Sequence, residues 1–355
     1  MKKILSFLLK LIGILILAVA ILLGWLTATE FNPAPVEAVE VTRGGDVDTL
    51  KGGDSLTVLS WNVGYGGLGK DSDFFMDGGK DARSADEATV KAYLDGISAT
   101  IRETGADLVL LQEVDSNSSR TYGIDERNFL SGGMSCESYA LNYSCPFVPV
   151  PVPPIGKVHS GLYTMTDDLT IDRSERISLP CPFSWPLRIA NLKRCLLVSY
   201  LPIEGSDKQL VLVNLHLEAY DDGAGKIAQT KQLREFITGE YEKGNYVIAG
   251  GDFNQVFPGS LERYPNTHPE NWEPGVLDAG LLPAGWTLAY DLTTPTCRLL
   301  NQPYDPADLE GTQYYVIDGL ILSPNVELKN VETLDACFAN SDHNPVRLEV
   351  SLLSE

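Results

Sequence analysis

The chain has six cysteines but no C-x-x-C pair, which excludes a paired-cysteine zinc motif and a thioredoxin-like redox motif. Histidine is scarce, with four in 355 residues. Basic residues are outnumbered, 27 Lys and Arg against 48 Asp and Glu, for a net charge of −21. A protein that grips nucleic acid through many phosphates needs a basic face. The charge balance therefore disfavours nucleic acid as a partner unless such a face is local. The carboxylate excess suits instead a site for a hard divalent cation, which takes oxygen ligands. The even cysteine count permits disulfides in an oxidising compartment. Cys136 and Cys145, which flank a loop, are the easiest pair to bridge, and free buried thiols are the competing reading.

Charge is missing altogether from Leu11 to Ala28. At about 1.5 Å per residue, a helix over this stretch just crosses a bilayer core of about 30 Å. A cleaved signal peptide is the rival reading, but its apolar region is usually shorter. Lys2, Lys3 and Lys10 all precede the span, so the positive-inside rule sets residues 1–10 in the cytoplasm and the remainder outside it. Residues 29–54 are acidic and spotted with Pro and Gly, which reads as a linker, with Val39-Glu40-Val41-Thr42 alternating like a short edge strand. Residues 55–355, in a chain that is 44% hydrophobic, are enough for one large domain with a sizeable core.

Within that domain, short apolar runs repeatedly end in polar residues. Tyr246-Val247-Ile248-Ala249-Gly250-Gly251 leads to Asp252-Phe253-Asn254, with the glycines read as a tight turn and Asp252 and Asn254 on one side of the extended chain. Similar runs deliver Asn62, Glu113 and His216, Asp318 enters another, and Ser341-Asp342-His343-Asn344-Pro345 precedes the last strand. Ser84-Ala85-Asp86-Glu87 has the form of a capping box before a helix to about Thr104, with Gly105 as its stop. A second helix is expected from Ala224 to about Thr238, with Ile227, Leu233, Phe236 and Ile237 inward. The run Gly64-Tyr65-Gly66-Gly67-Leu68-Gly69 fits G-x-G-x-x-G, yet a loop follows where a dinucleotide site needs a helix. These glycines are better read as a wall of the site mouth beside Asn62. Ser116 to Lys157 and Pro180 to Pro186 read as long excursions suited to binding loops, and Val256 to Tyr314 as decoration of the site mouth.

The segments SWNVGYG, LVLLQEVD, VNLHLEA, GGDFN, VIDGLIL and SDHNPV resemble, in order, the motifs of the endonuclease/exonuclease/phosphatase superfamily. The resemblance spans about Leu56 to Val350. It implies an α/β fold, a four-layer sandwich of two packed mixed β-sheets flanked by helices, here preceded by the N-terminal transmembrane helix. It also implies a divalent-metal-dependent phosphoesterase using Mg²⁺, with Mn²⁺ the alternative. The residues it points to for the metal are Asn62, Glu113 and Asp342. His343 and Asp318 would form a histidine–carboxylate dyad, Asp252 would transfer protons, Asn254 would donate to a phosphate oxygen and His216 would stabilise the transition state. Arg194 corresponds to a phosphate-contacting arginine, with a surface salt bridge as its bland alternative. His159 is either a substrate contact or a hydrogen-bonded structural histidine. The expected substrate is a lipid headgroup or other small phosphodiester. A nuclease is the alternative, and a non-catalytic binding module on the same fold is a further one.

Overall fold

The computed structural model describes residues 1–45, 47–278, 280–308 and 311–354. Two seven-stranded mixed sheets face each other. One has the order Val36–Val39, Arg173–Ser178, Cys195–Pro202, Gln209–His216, Tyr246–Asp252, Asp318–Leu322, Thr287–Ala289. The other runs Val326–Thr333, Val346–Leu352, Ser55–Asn62, Leu108–Asp115, Gly156–Thr166, Cys136–Val148, Val41–Arg43. Strands buried on both faces read as continuous apolar runs, and Leu108-Val109-Leu110-Leu111 is one such run.

Each sheet carries a helix on its outer face. The Glu87–Thr104 helix buries Val90, Tyr93, Leu94, Ile97 and Ile101 against Leu59, Trp61, Val109 and Leu111. Its cap is Asp86, which accepts from the Thr89 amide at 2.7 Å, whereas Ser84 bonds the Gly67 carbonyl. Gly105, at φ 56°, closes the helix as expected. The second helix runs Ala224–Glu242 and packs Leu233 and Ile237 inward, while Ile227 is 71% exposed, contrary to the sequence reading.

Three further expectations are corrected. All six cysteines are free thiols, and Cys136 and Cys145 lie on one continuous strand, where extended backbone keeps them far apart. Residues 116–157 contain that thirteen-residue strand rather than an open excursion. The 29–54 stretch is more than a linker with one short edge strand at Val39–Thr42: it supplies two edge strands, Val36–Val39 paired with Arg173–Ser178 in one sheet and Val41–Arg43 paired with Cys136–Val148 in the other.

The sheets meet through an apolar core that includes Val58, Leu110, Leu212, Ile248 and Leu348. A buried polar link crosses it near the site. Asn214 donates to the Leu111 and Tyr163 carbonyls at 3.0 and 3.1 Å and accepts from Gln112 Nε2 at 2.8 Å. A buried group that loses its partner costs roughly 1–3 kcal/mol. Asn214→Ala is therefore expected to destabilise the domain by about 2–4 kcal/mol, read as a lowered urea midpoint of the purified protein.

Candidate active site

Strand register assembles the site. Asp252 lies opposite His216 on one neighbour and opposite Asp318 on the other, so one row across three strands carries an imidazole and two carboxylates, with Asp252 in the middle. The glycines before Asp252 are not a turn, because both are in the strand and paired on each side. A Cβ on Gly251 would meet the Leu215 carbonyl oxygen at 1.9 Å, so only glycine lets the strands close up here.

The other sheet supplies Asn62 and Glu113. The Leu108–Asp115 strand slips register between Leu111 and Val114, and Glu113 sits at φ 57° within the slip. Such bulges re-aim a side chain, and positive φ at a non-glycine residue is costly. Asn254 shares this strain at φ 50°. The last contributors come from the loop before the C-terminal strand. Trp61 Nε1 donates to the His343 carbonyl at 2.8 Å and Ser341 Oγ to the Asn62 carbonyl at 2.8 Å, which ties that loop to the Ser55–Asn62 strand.

His343 Nδ1 lies 2.8 Å from Asp318 Oδ2, and its Nε2 is 3.9 Å from carboxylate oxygens of both Asp252 and Asp342. His216 Nε2 is 3.3 Å from Asp252 Oδ2 and 3.9 Å from Glu113 Oε1. Asn62 Nδ2 donates to Asp252 at 3.0 Å and Glu113 at 3.2 Å, bridging the two sheets. Gly64 closes one side: its amide donates to Asn62 Oδ1, and a Cβ there would lie 2.7 Å from Asp342 Oδ1. The glycine run is thus the wall beside Asn62.

The electrostatics divide the two histidines. Burial pushes His216 well below its ordinary pKa, with the charges of Arg194 and His343 acting the same way, so its ring is neutral. Burial also opposes charge on His343, but Asp318, then Cys297 and Asp342, outweigh it and hold the ring well above the usual value. Burial, reinforced by Asp318, pushes Asp252 up to about 7. Asp342 goes up to about 6 through burial and the Glu113 charge.

Two of the remaining sequence-named residues, Arg194 and His159, lie outside this cluster. Arg194 is buried under it, with Nη1 3.4 Å from the His216 carbonyl and Nε 3.8 Å from Glu218. It is neither a surface salt bridge nor open to a phosphate. His159 is half-buried and bonds Ser116 Oγ at 2.7 Å, the structural role. Asn254 adjoins the cluster: its backbone amide donates to Asp252 Oδ1 at 2.8 Å and its side-chain amide to the Leu217 carbonyl at 2.9 Å.

Three residues of the surroundings were not singled out from sequence. Arg298 is buried and donates to the Gly69 and Ser72 carbonyls, pinning the glycine loop, while its own amide bonds the Asp342 carbonyl. Asp77 is buried and accepts from Tyr220 Oη at 3.1 Å. Their partners are far away in sequence, so no local pattern signals them.

The donors fit a divalent ion. Asp252, Asp318 and His343 each offer an atom within 4.8 Å of one another. The Asp318–His343 hydrogen bond and the protonated ring make that trio a poor nest for a hard cation. Glu113 and Asp342 are the better donors: both are carboxylates, and their mutual repulsion is what a cation would relieve. Asn62 turns its amide nitrogen, not its oxygen, toward the acids.

Burial, then the charges of Asp342 and Glu113, also push Asp77 up to about 7. A carboxyl raised from 3.8 in the unfolded chain is more protonated when folded, so its contribution is full below about pH 4 and lost as pH rises through 7. Asp252 and Asp342 act with the same sign. Chelator-treated protein is thus expected to lose thermal stability from pH 5 to 8, and Asp77→Asn to flatten part of that fall. Melting curves across this range test it.

A two-sheet α/β sandwich whose facing strand ends gather two imidazoles and several carboxylates around a fixed glycine wall defines a hydrolytic phosphoesterase. The chain belongs to the Endonuclease/Exonuclease/phosphatase family, whose pattern it matches over residues 59–343. No curated protein sequence matches it. Among solved structures, it is similar to the endonuclease/exonuclease/phosphatase from Beutenbergia cavernae DSM 12333, at 16% identity over 84% of this chain and 72% of that one, TM-score 0.55. It is similar too to ANGEL2, a 2′,3′-cyclic phosphatase, at 14% identity over 88% and 98%, TM-score 0.55. The human Nocturnin catalytic domain matches at 18% identity over 88% and 97%, TM-score 0.51. At these identities the likeness is one of fold.

Proposed function

We propose that the chain is a divalent-metal-dependent phosphodiesterase, anchored in a membrane by its N-terminal helix and acting on a lipid headgroup or similar small phosphodiester. The observation that carries the catalytic part is the His343–Asp318 contact at 2.8 Å, with the other ring nitrogen facing Asp252 and Asp342. Asp318 orients the ring and keeps it charged, so His343 presents an N–H to a phosphate oxygen as negative charge builds. Asp252, set between the two histidines, moves the proton of the attacking water or of the leaving oxygen. Neutral His216 donates from Nε2 toward the same centre. Asn254 spends one amide N–H on Leu217 and offers the other to phosphate. Mg²⁺, with Mn²⁺ the alternative, would be held by Glu113 and Asp342 beside Asn62, and when bound it screens phosphate charge and acidifies water.

The Lys2–Ala28 helix supports the anchor: it is apolar, with mean hydropathy 2.8 in its most apolar window, and unburied there. It is continuous from Lys2, so residues 2–10 are helical with the span. Lys2, Lys3 and Lys10 favour a cytoplasmic N-terminus and an extracytoplasmic domain. The net charge of −21 favours a lipid or small diester over nucleic acid.

Hydrolysis of bis(p-nitrophenyl) phosphate, phospholipid vesicles, sphingomyelin, inositol phosphates and single-stranded DNA, with and without chelator, tests the reading. Chelator-sensitive turnover of the soluble diester and of a lipid is expected. Preference for DNA would overturn the substrate class, and no turnover of any would overturn the enzyme.

A further inference from the structure

We infer that the active-site end of the sandwich is seated on the bilayer surface by an apolar rim, made of the Val148–Pro154 hairpin tip and the Pro182–Leu187 loop. The inference rests on the membrane-anchor reading above and goes beyond it, since an anchor alone leaves the domain free to face any direction.

The rim stands at the site end of both sheets. Val114 and Asp115, just past Glu113, pair with Gly161 and Ser160. From Ser160 the hairpin runs on to the Val148–Gly156 pair, about 13 Å further at ~3.3 Å per residue. In the other sheet Leu196 pairs with Leu215, next to His216, so the loop preceding Cys195 emerges at the same end.

The end of the N-terminal helix meets this rim. Leu26 is buried and Leu22 half-buried against a cluster containing Tyr143, Val148, Ile155 and Ile189. Trp185 Nε1 bonds Thr27 Oγ1 at 3.1 Å, and Glu30 pairs with Lys193 at 2.9 Å and Arg188 at 3.2 Å. Residues touching Leu22 and Leu26 necessarily lie at the depth of the helix's last turns, where a membrane-spanning helix reaches the lipid boundary. Around this junction Val150, Val152, Trp185 and Leu187 are 58%, 94%, 54% and 64% exposed. Water is a poor surrounding for such a patch. Lipid suits it: Leu22 and Leu26 of the helix pack into the cluster beside the patch, Trp favours the interface, and Pro151, Pro153, Pro154 and Pro186 bring no amide N–H needing a partner. The occupant is therefore the lipid interface itself, and the catalytic groups face its headgroups.

The test uses the full chain in phospholipid nanodiscs, with exposed Cys181 and Cys337 changed to serine and one nitroxide placed by Val152→Cys, Ile14→Cys or Glu103→Cys. Glu103 lies at the opposite end of the sheet, near the start of the Leu108–Asp115 strand. Collisions with oxygen against a water-soluble nickel chelate report depth. Lipid-like exposure at 152 and 14, with water-like exposure at 103, is expected. Water-like exposure at 152 with lipid-like exposure at 14 overturns the docking and leaves the anchor standing. Water-like exposure at both overturns the anchor, and the docking with it. As a second measurement, the doubly substituted Val152→Asp, Leu187→Asp chain is expected to keep the nickel-inaccessible signal at 14 and gain chelate access at a Val150→Cys label by at least about fivefold. No gain there also overturns the docking.

Discussion

His343→Ala is expected to lower kcat for a soluble diester by about 10²–10⁴-fold, the range for loss of a positioned acid–base group. The substitution removes the one ring held charged in the cluster, so the phosphate oxygen it faces loses a donor when its charge is greatest. KM should move far less than kcat, because the interaction strengthens in the transition state. Asp318→Asn separates charge from packing. Burial disfavours the imidazolium, and the Asp318 carboxylate is the first of the groups that overcome this. Without that charge the ring's pKa falls, and the alkaline limb of the kcat profile is expected to move to lower pH. An unchanged kcat in His343→Ala, or an unmoved limb in Asp318→Asn, would remove the dyad from the reaction.

The second large effect is at Glu113. Glu113→Gln keeps the shape and a hydrogen-bonding oxygen for Asn62 but loses the charge that would hold a cation. Outer contacts to a metal ligand typically contribute 10–100-fold in affinity, so loss of a direct ligand should raise the half-activating Mg²⁺ concentration by at least about 100-fold. Stability should move the opposite way. The Glu113 charge, after burial, helps push Asp342 and Asp77 up, so metal-free protein is strained by crowded acids. Removing one of them should raise the melting temperature of chelator-treated protein at pH 8 while activity collapses. A merely structural glutamate would lower both. Titrating Mg²⁺ into wild type and variant, with activity and melting read together, distinguishes the two.

Much of the strand framework is legible because it is local. Leu56 to Asn62, Leu108 to Glu113, Leu210 to His216 and Tyr246 to Asp252 are apolar runs, and burial between a helix layer and a second sheet requires just that pattern. The 136–148 strand escapes notice because its inward positions include Ser138 and Asn142. Ser138 Oγ lies 3.2 Å from Ser199 Oγ on the facing sheet, and that pairing makes a polar residue tolerable in the core. Ile227 misleads in the opposite sense, since an apolar residue at helical spacing can still face solvent.

By itself the sequence determined the polar residues waiting at the strand ends, the order of those motifs along the chain and the uncharged stretch before them. Only the tertiary structure decided that Asp252 stands between His216 and Asp318, that Arg194 lies beneath the site, and that Asp77 meets Tyr220. The reason is physical. A strand's own residues set which side chains are apolar, whereas register, burial and the charge felt by an acid depend on neighbours that arrive from other elements, as Tyr220 reaches Asp77 across 143 residues.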